Sequence, residues 1–530
     1  MDLEEKKRRA LKLNKNGFCL LLFAAVFAFF LLTGRKGPVL FDDSGSYMRF
    51  SWHEGVMPVY PIFLLLNQYI CGNGSLLWLW AVVVEQALLA AFSIVILEET
   101  VRRRMGLYFA EGILFALLAL YPYTIEMPTA VMTQAILTEG IAYSLFYIFL
   151  TVLLLAVWEK SYGWLCGAFC MTAILTATRS QLQMLFGVCG IVFLYLICMR
   201  GKKAGKGQKI ARFFGGVLGC VAISLLGILL AAGIVRGYRV VLLQPYGSLK
   251  MFALSIQDPG GYQEALEAQR EHDREMVEQQ ENEEELPEEE ENLIEKNFST
   301  SQYLTLIFSR GMYEADREDA DLFQDEVLRG LYLALYDVVD AEEERYAYAD
   351  EGLWMWKDIV GGIGKIGGSC FLTPSEYYVG YAPEVIRSDD FSTIRHSHLQ
   401  TIGLTLIKAH FGRFLYHTLM LLPQAFISTV FFQYAPLYLF CHLVTAFLYL
   451  SAFALMIWGY AEQLAKKEGA EMMALVLGMN VVMVFIISMV FFGQQRYLVY
   501  AFGPFYIAYY LLLRQLWCVR IREFLRRRFR

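Results

Sequence analysis

The 530-residue chain is 57% hydrophobic and only 18% charged, against about 25% charged residues in soluble proteins, and its mean hydropathy is +0.41. Several apolar stretches reach the ~17–25 residues that a helical membrane span needs, which excludes an ordinary soluble globule. The net charge of −6 reflects acidic residues clustered between Glu264 and Glu295, and no basic face is combined with aromatic platforms outside the membrane, which excludes a nucleic-acid partner.

In chain order, Lys6, Lys7, Arg8, Arg9, Lys12 and Lys15 precede a first apolar run from Gly17 to Thr33. Thr33-Gly34-Arg35-Lys36 offers no small-x-small cleavage pattern, so this run is expected to stay as a span. A polar segment follows to about Ser75. Span two is expected from about Leu76 to Leu97, ending at Arg102-Arg103-Arg104. Span three is expected at about Leu107–Tyr121, span four from Thr138-Glu139 to Trp158, span five at Trp164–Thr178 and span six at Leu182–Met199. The basic loop Arg200–Arg212 leads to span seven, Phe213–Val235. Spans eight to ten are expected at Tyr434–Trp458, Met472–Phe492 and Tyr497–Leu513, before a tail with Arg520, Arg522, Arg526, Arg527, Arg528 and Arg530. Positive residues stay cytoplasmic. Ten spans then put both termini and every basic cluster inside, and leave residues 236–413 outside. The apolar stretch Phe414–Phe432 would break this parity as a span and is expected to be an interfacial helix, interrupted at Pro423.

The expected architecture is therefore an all-α polytopic membrane protein in a cytoplasmic (plasma) membrane, with about ten transmembrane helices and an extracytoplasmic insertion between spans seven and eight. It divides into an N-terminal membrane module (1–235), an outer region (236–413) with an acidic segment at 262–296, and an interfacial helix plus C-terminal membrane module (414–530). The acidic segment is nearly free of aromatics and reads as a solvated helix or disorder. The glycine-rich run 361–368 lacks a strand-to-helix context and reads as a loop rather than a phosphate cradle. The cysteines form no metal or disulfide pattern, although Cys71 and Cys370 both fall on the outer side, where pairing is open.

The chemistry-bearing residues gather on that outer side. Asp42-Asp43-Ser44-Gly45-Ser46-Tyr47 follows the first span, and Trp52, His53 and Pro58-Val59-Tyr60-Pro61-Ile62-Phe63-Leu64 come after it. Asp and Gly alone would serve a turn, but a turn requires neither the spacing to Tyr47 nor the proline-aromatic sequel. Thr138-Glu139 opens span four, where Glu also suits a first helical turn. Thr178-Arg179-Ser180 closes span five, and Gln494-Gln495-Arg496-Tyr497-Leu498-Val499-Tyr500 opens span ten. Arg179 and Arg496 are outer-side arginines, against the positive-inside bias; the competing reading is that they anchor to lipid headgroups.

This ordered set resembles the GT-C superfamily of membrane glycosyltransferases, which includes protein O-mannosyltransferases and the lipid A aminoarabinose transferase. The resemblance covers spans one to six and eight to ten, not residues 236–381. Ser180 stands where the family usually has proline, and Gln495 where an acidic residue is common. The resemblance implies an active site on the extracytoplasmic side, a polyprenyl-phosphate-linked sugar as donor, and a cell-envelope glycan, lipid or protein as acceptor, with inversion at the anomeric carbon. Asp43 is then the expected base, with Asp42 and Glu139 as the other catalytic candidates. Arg179, Arg496, Tyr497, Tyr47 and His53 are the expected substrate-binding residues. No cofactor is required; a divalent metal occurs in part of the superfamily, but no compact ligand cluster in the sequence demands one. The rival readings are a lipid or polysaccharide transporter, for which internal repeats and broken midplane helices are missing from the sequence, and a non-catalytic membrane scaffold.

Overall fold

The structure, a computed structural model, describes residues 3–41, 44–48, 57–72, 77–125, 130–199, 206–238, 240, 263, 305–341, 363, 366, 370, 373–381, 391–431, 437–461, 468–490 and 495–517. Among these residues the secondary structure is helical, apart from one isolated parallel bridge between Val39 and Ala135. The first half of the chain forms α1 (Leu3–Thr33), α2 (Ser44–Met48), α3 (Val59–Cys71), α4 (Leu77–Met105), α5 (Phe109–Leu120), α6 (Glu139–Glu159), α7 (Tyr162–Thr178), α8 (Leu185–Met199) and α9 (Lys206–Tyr238). The segment expected to lie outside, called the outer unit for that expectation, contributes α10 (Thr305–Tyr313), α11 (Glu326–Ala341), α12 (Thr373–Tyr381) and α13 (Phe391–Ala409). The chain closes with α14 (Phe411–Val430), α15 (Tyr438–Ala461), α16 (Glu468–Val490), the single turn α17 (Gln495–Leu498) and α18 (Phe502–Leu516).

Among the described residues seven helices are long and apolar enough to cross a membrane: they lie at Gly17–Lys36, Leu77–Met105, Glu139–Glu159, Ser180–Met199, Ile210–Tyr238, Leu439–Ala461 and Glu468–Val490. This is a multi-pass, all-helical membrane protein by the length and composition of its helices. The expected spans three, five and ten are also helices, but shorter, at 12, 17 and 15 residues. The segment after span one contains the apolar helix α3, which begins at the Pro-x-Tyr-Pro stretch, a helix start in the sequence reading. In α3, Pro58 precedes the first turn and Pro61 lies within it, where a missing N–H is harmless.

Local sequence explains where the helices stop. After Arg102-Arg103-Arg104, Gly106 takes a positive φ of 66° and turns the chain back into α5, the usual exit from a helix. Ser161 accepts a hydrogen bond from the Trp164 N–H and caps the start of α7, directly after Lys160, the residue that closes α6, as an N-cap residue does.

Most buried side chains form one core shared by α1 to α8 and α14 to α18. Its centre is α6, whose apolar stretch is 78% buried, whereas those of α9 and α15 are 11% and 17% buried; the latter two present apolar side chains outward, as lipid contact requires. A second core collects Phe308, Met312, Leu331, Tyr332, Tyr378 and Ile402 from α10 to α13. Within it α10 and α13 touch through glycine: a Cβ on Gly311 would lie 2.5 Å from the Gly403 carbonyl oxygen. The glycine-rich run 361–368 contributes Ile363 and Ile366 to this core; the rest of the run and nearly all of the acidic segment 262–296 lie outside the described residues. Cys71 and Cys370 are both free thiols, the latter buried.

Helix α14 joins the two cores. Leu421 belongs to the outer core, and Ala425 and Val430 to the membrane core. Against expectation the helix runs unbroken through Pro423. Proline leaves one carbonyl without its partner, and packing on both sides of Pro423 carries the helix through.

Candidate functional site

Five of the residues expected to form a site converge at one end of the membrane bundle. The loop 130–138 leading into α6 is buried throughout, and a buried loop needs partners for its backbone. Gln86 of α4 supplies two, its amide donating to the carbonyls of Thr133 at 3.0 Å and Ala135 at 3.2 Å. The segment after α1 supplies more: Val39 N–H donates to the Gln134 carbonyl and Ile136 N–H donates to the Val39 carbonyl, both at 3.0 Å. The Gln134 amide donates to the Gly37 carbonyl at 3.1 Å. The stretch that precedes Asp42-Asp43 is thereby fastened to the stretch that precedes Glu139.

Glu139 is the first residue of α6 and is 2% exposed. Its Oε1 lies 2.5 Å from Arg179 Nη1 and 4.0 Å from Arg496 Nε, and the Thr138 hydroxyl donates to its Oε2 at 3.1 Å. Arg179 is placed by the end of α7, where the backbone turns extended at φ −146°, ψ 118° before a 3-10 turn over Ser180–Met184. Arg496 is presented by the single turn α17 between α16 and α18. Both guanidinium groups lie over the Tyr497 ring, at 5.0 Å for Arg179 and 4.9 Å for Arg496. Arg496 Nη2 also donates to the Tyr497 hydroxyl at 2.9 Å. Tyr47 is buried with its ring edge-on to Tyr60, 5.4 Å between centroids, within electrostatic range of Arg179. Tyr60 in turn donates its hydroxyl to Gln86 Oε1 at 3.2 Å. Two guanidinium groups, a carboxylate and phenol rings thus share one place, Glu139 and Tyr47 buried and Arg179, Arg496 and Tyr497 half-buried. Asp42, Asp43 and His53 lie outside the described residues.

The sequence reading missed the residues that hold this group together. Gln86 and Gln134 are polar residues in otherwise apolar stretches, the signal that flags a polar contact inside a membrane. Tyr143 stands one helical turn after Glu139 on the same face of α6, and its hydroxyl donates to the Arg496 carbonyl at 3.0 Å.

The opposite end of the bundle carries a separate set of ion pairs. Arg102 meets Glu98 and Glu99, Arg104 lies 3.6 Å from Glu468, and Arg514 lies 3.0 Å from Glu111. Arg104 also donates to the carbonyl of Trp158, near the far end of α6. A helix of this length separates its two ends by about 30 Å, so the two charged groups are distinct.

Among the described residues one group has metal-ligand composition, Asp316, Asp319 and His410 in the outer unit. Arg413 Nη2 lies 2.6 Å from His410 Nδ1 and 2.7 Å from Asp316 Oδ2. A guanidinium only donates, so Nδ1 is the acceptor and Nε2 carries the proton, which it gives to Asp319 Oδ2 at 2.7 Å. That tautomer has no lone pair on Nε2 for a metal. A metal-binding histidine ordinarily donates its second nitrogen to an acceptor, the reverse of this arrangement. In this arrangement the group stitches the start of α14 to the turn at Arg317–Leu322.

No protein-family model matches the chain, and no curated protein matches it.

Proposed function

We propose that the protein is a GT-C-type glycosyltransferase that moves a sugar from a polyprenyl-phosphate donor to a cell-envelope acceptor on the extracytoplasmic side of the cytoplasmic membrane. The observation that carries this reading is the convergence of Glu139, Arg179, Arg496, Tyr497 and Tyr47, from separate segments, at one end of an apolar helical bundle. Guanidinium groups match phosphate geometry and keep their charge. In this reading Arg179 and Arg496 receive the donor phosphate and stabilise the charge that grows on it as the bond to the anomeric carbon breaks. Glu139 holds the two cations in place. The acceptor hydroxyl attacks the anomeric carbon from the opposite face and gives its proton to Asp43, and the lipid phosphate leaves with the bonding electrons. The configuration is inverted in one displacement, with no covalent enzyme intermediate.

The test is sugar transfer from defined polyprenyl-phosphate sugars by the purified protein, with Arg179→Lys and Arg496→Lys beside it. Lysine keeps the charge and loses the fork, so donor use should fall about tenfold or more. Normal donor kinetics in both lysine variants and in the alanine variants would remove the arginines from the phosphate. Movement of a lipid-linked sugar across vesicles without transfer would favour the transporter reading.

A further inference from the structure

The Arg496 side chain is offered by a helix of only four residues, Gln495–Leu498, set between α16 and α18. So short a turn has few backbone bonds of its own, and its position depends on what it is tied to. The tie comes from α6. Glu139 Oε1 lies 4.0 Å from the Arg496 side chain. One turn further on, Tyr143 holds the Arg496 carbonyl at 3.0 Å across 353 residues of sequence. The first two turns of α6 therefore grip the same residue twice, by side chain and by backbone.

Tyr143 is itself fixed. It is 1% exposed. Its ring stands edge-on to Tyr123, 5.6 Å away at 86°, and to Tyr500, 4.9 Å away at 75°. The Tyr123 hydroxyl is shared with Ser144 at 2.8 Å. Arrangements of this kind lock the rotamer of the residue that does the holding.

We propose that Tyr143 is a positioning residue for the phosphate end of the site, its hydroxyl setting where the Arg496 guanidinium stands. This rests on the reading of Arg496 as a ligand of the donor phosphate. A small displacement of a binding group is costly when geometry supplies the affinity, whereas loss of one hydroxyl leaves the ring packing intact.

The experiment uses the full-length protein in lipid nanodiscs and measures binding of undecaprenyl phosphate, a probe without sugar. Arg496→Ala should weaken binding, and Tyr143→Phe should weaken it about tenfold, the worth of one hydrogen bond. If Tyr143 acts through Arg496, the double variant is no weaker than Arg496→Ala alone. Replacing Tyr143 by para-aminophenylalanine, which keeps a donor at the same position, should restore binding. Tyr147→Phe is the matched control, because that hydroxyl holds the Ala119 carbonyl at 2.9 Å one turn along the same helix; it should bind as the wild type does. Equal weakening by Tyr147→Phe, or losses that multiply in the double variant, would overturn the positioning role and leave the phosphate reading standing. Absence of binding by the wild type would remove the phosphate reading and this role with it.

Discussion

In the proposed reaction Glu139 and Asp43 divide the carboxylate work between them. Glu139 is buried, in contact with Arg179 and hydrogen-bonded by Thr138, which suits a counter-ion that orients cations. Asp43 follows the strap that Val39 makes to the Gln134–Ile136 segment, and the base role in the proposed reaction falls to it. Asp43→Asn keeps size and one acceptor while removing the anion. Turnover should fall ~10²–10⁴-fold, the usual worth of a general base, with expression and donor binding unchanged. Asp42→Asn is the internal control and should retain most activity. A folded Asp43→Asn protein with near-normal turnover beside an inactive Asp42→Asn would move the base by one residue, and normal turnover in both would take the acidic loop out of the mechanism.

At the scale of elements, α12 and α13 are joined by a bond that titrates. The Tyr378 hydroxyl and His398 Nδ1 are 2.6 Å apart, and Tyr378 is fully buried in the outer core. Burial lowers the His398 pKa, partly offset by Asp325. An unfolded histidine titrates near 6.5. Between that value and the lower folded one, the unfolded chain binds more protons, so the contribution of His398 to stability is present above about pH 6.5 and is lost as the pH falls through this window, levelling off below the folded pKa. Protection from hydrogen exchange across residues 391–409, taken relative to the intrinsic exchange rate at each pH, should therefore fall on acidification, and His398→Gln should flatten that dependence. The same slope in wild type and variant would show that other groups govern it. Helix α14 matters at this scale too. Arg310 of α10 donates to the Phe414 carbonyl and the Thr418 hydroxyl, while Tyr506 of α18 donates to the Val430 carbonyl at 2.5 Å. One helix thus carries contacts from the outer unit to the end of the bundle where Arg496 stands.

For the whole molecule the arrangement of charge is the informative property. The two charged groups lie at opposite ends of α6, and the basic one includes Arg102, Arg103 and Arg104. The positive-inside bias predicts that this end faces the cytoplasm, which would put the Glu139 end on the outer side. Cysteine labelling from outside the cell should modify a probe placed at Ser301 and spare one at Lys206. The reverse pattern would invert the topology and put the site on the wrong side for a lipid-linked donor exposed outside.

The amino-acid sequence by itself determined the helical class and most helix positions, because an apolar run long enough for a bilayer admits few other structures. Local chemistry also marked Glu139, Arg179, Arg496 and Tyr497 as charged or aromatic residues at helix ends. Only the tertiary structure decided that Arg179 and Arg496 share one carboxylate and one ring, since they come from helices far apart in the chain and no local pattern encodes their distance. The strap from Val39 to the loop before α6 and the continuity of α14 through Pro423 have the same origin. Each depends on what a neighbouring segment offers: a backbone donor, a buried face, or packing firm enough to outweigh a missing hydrogen bond.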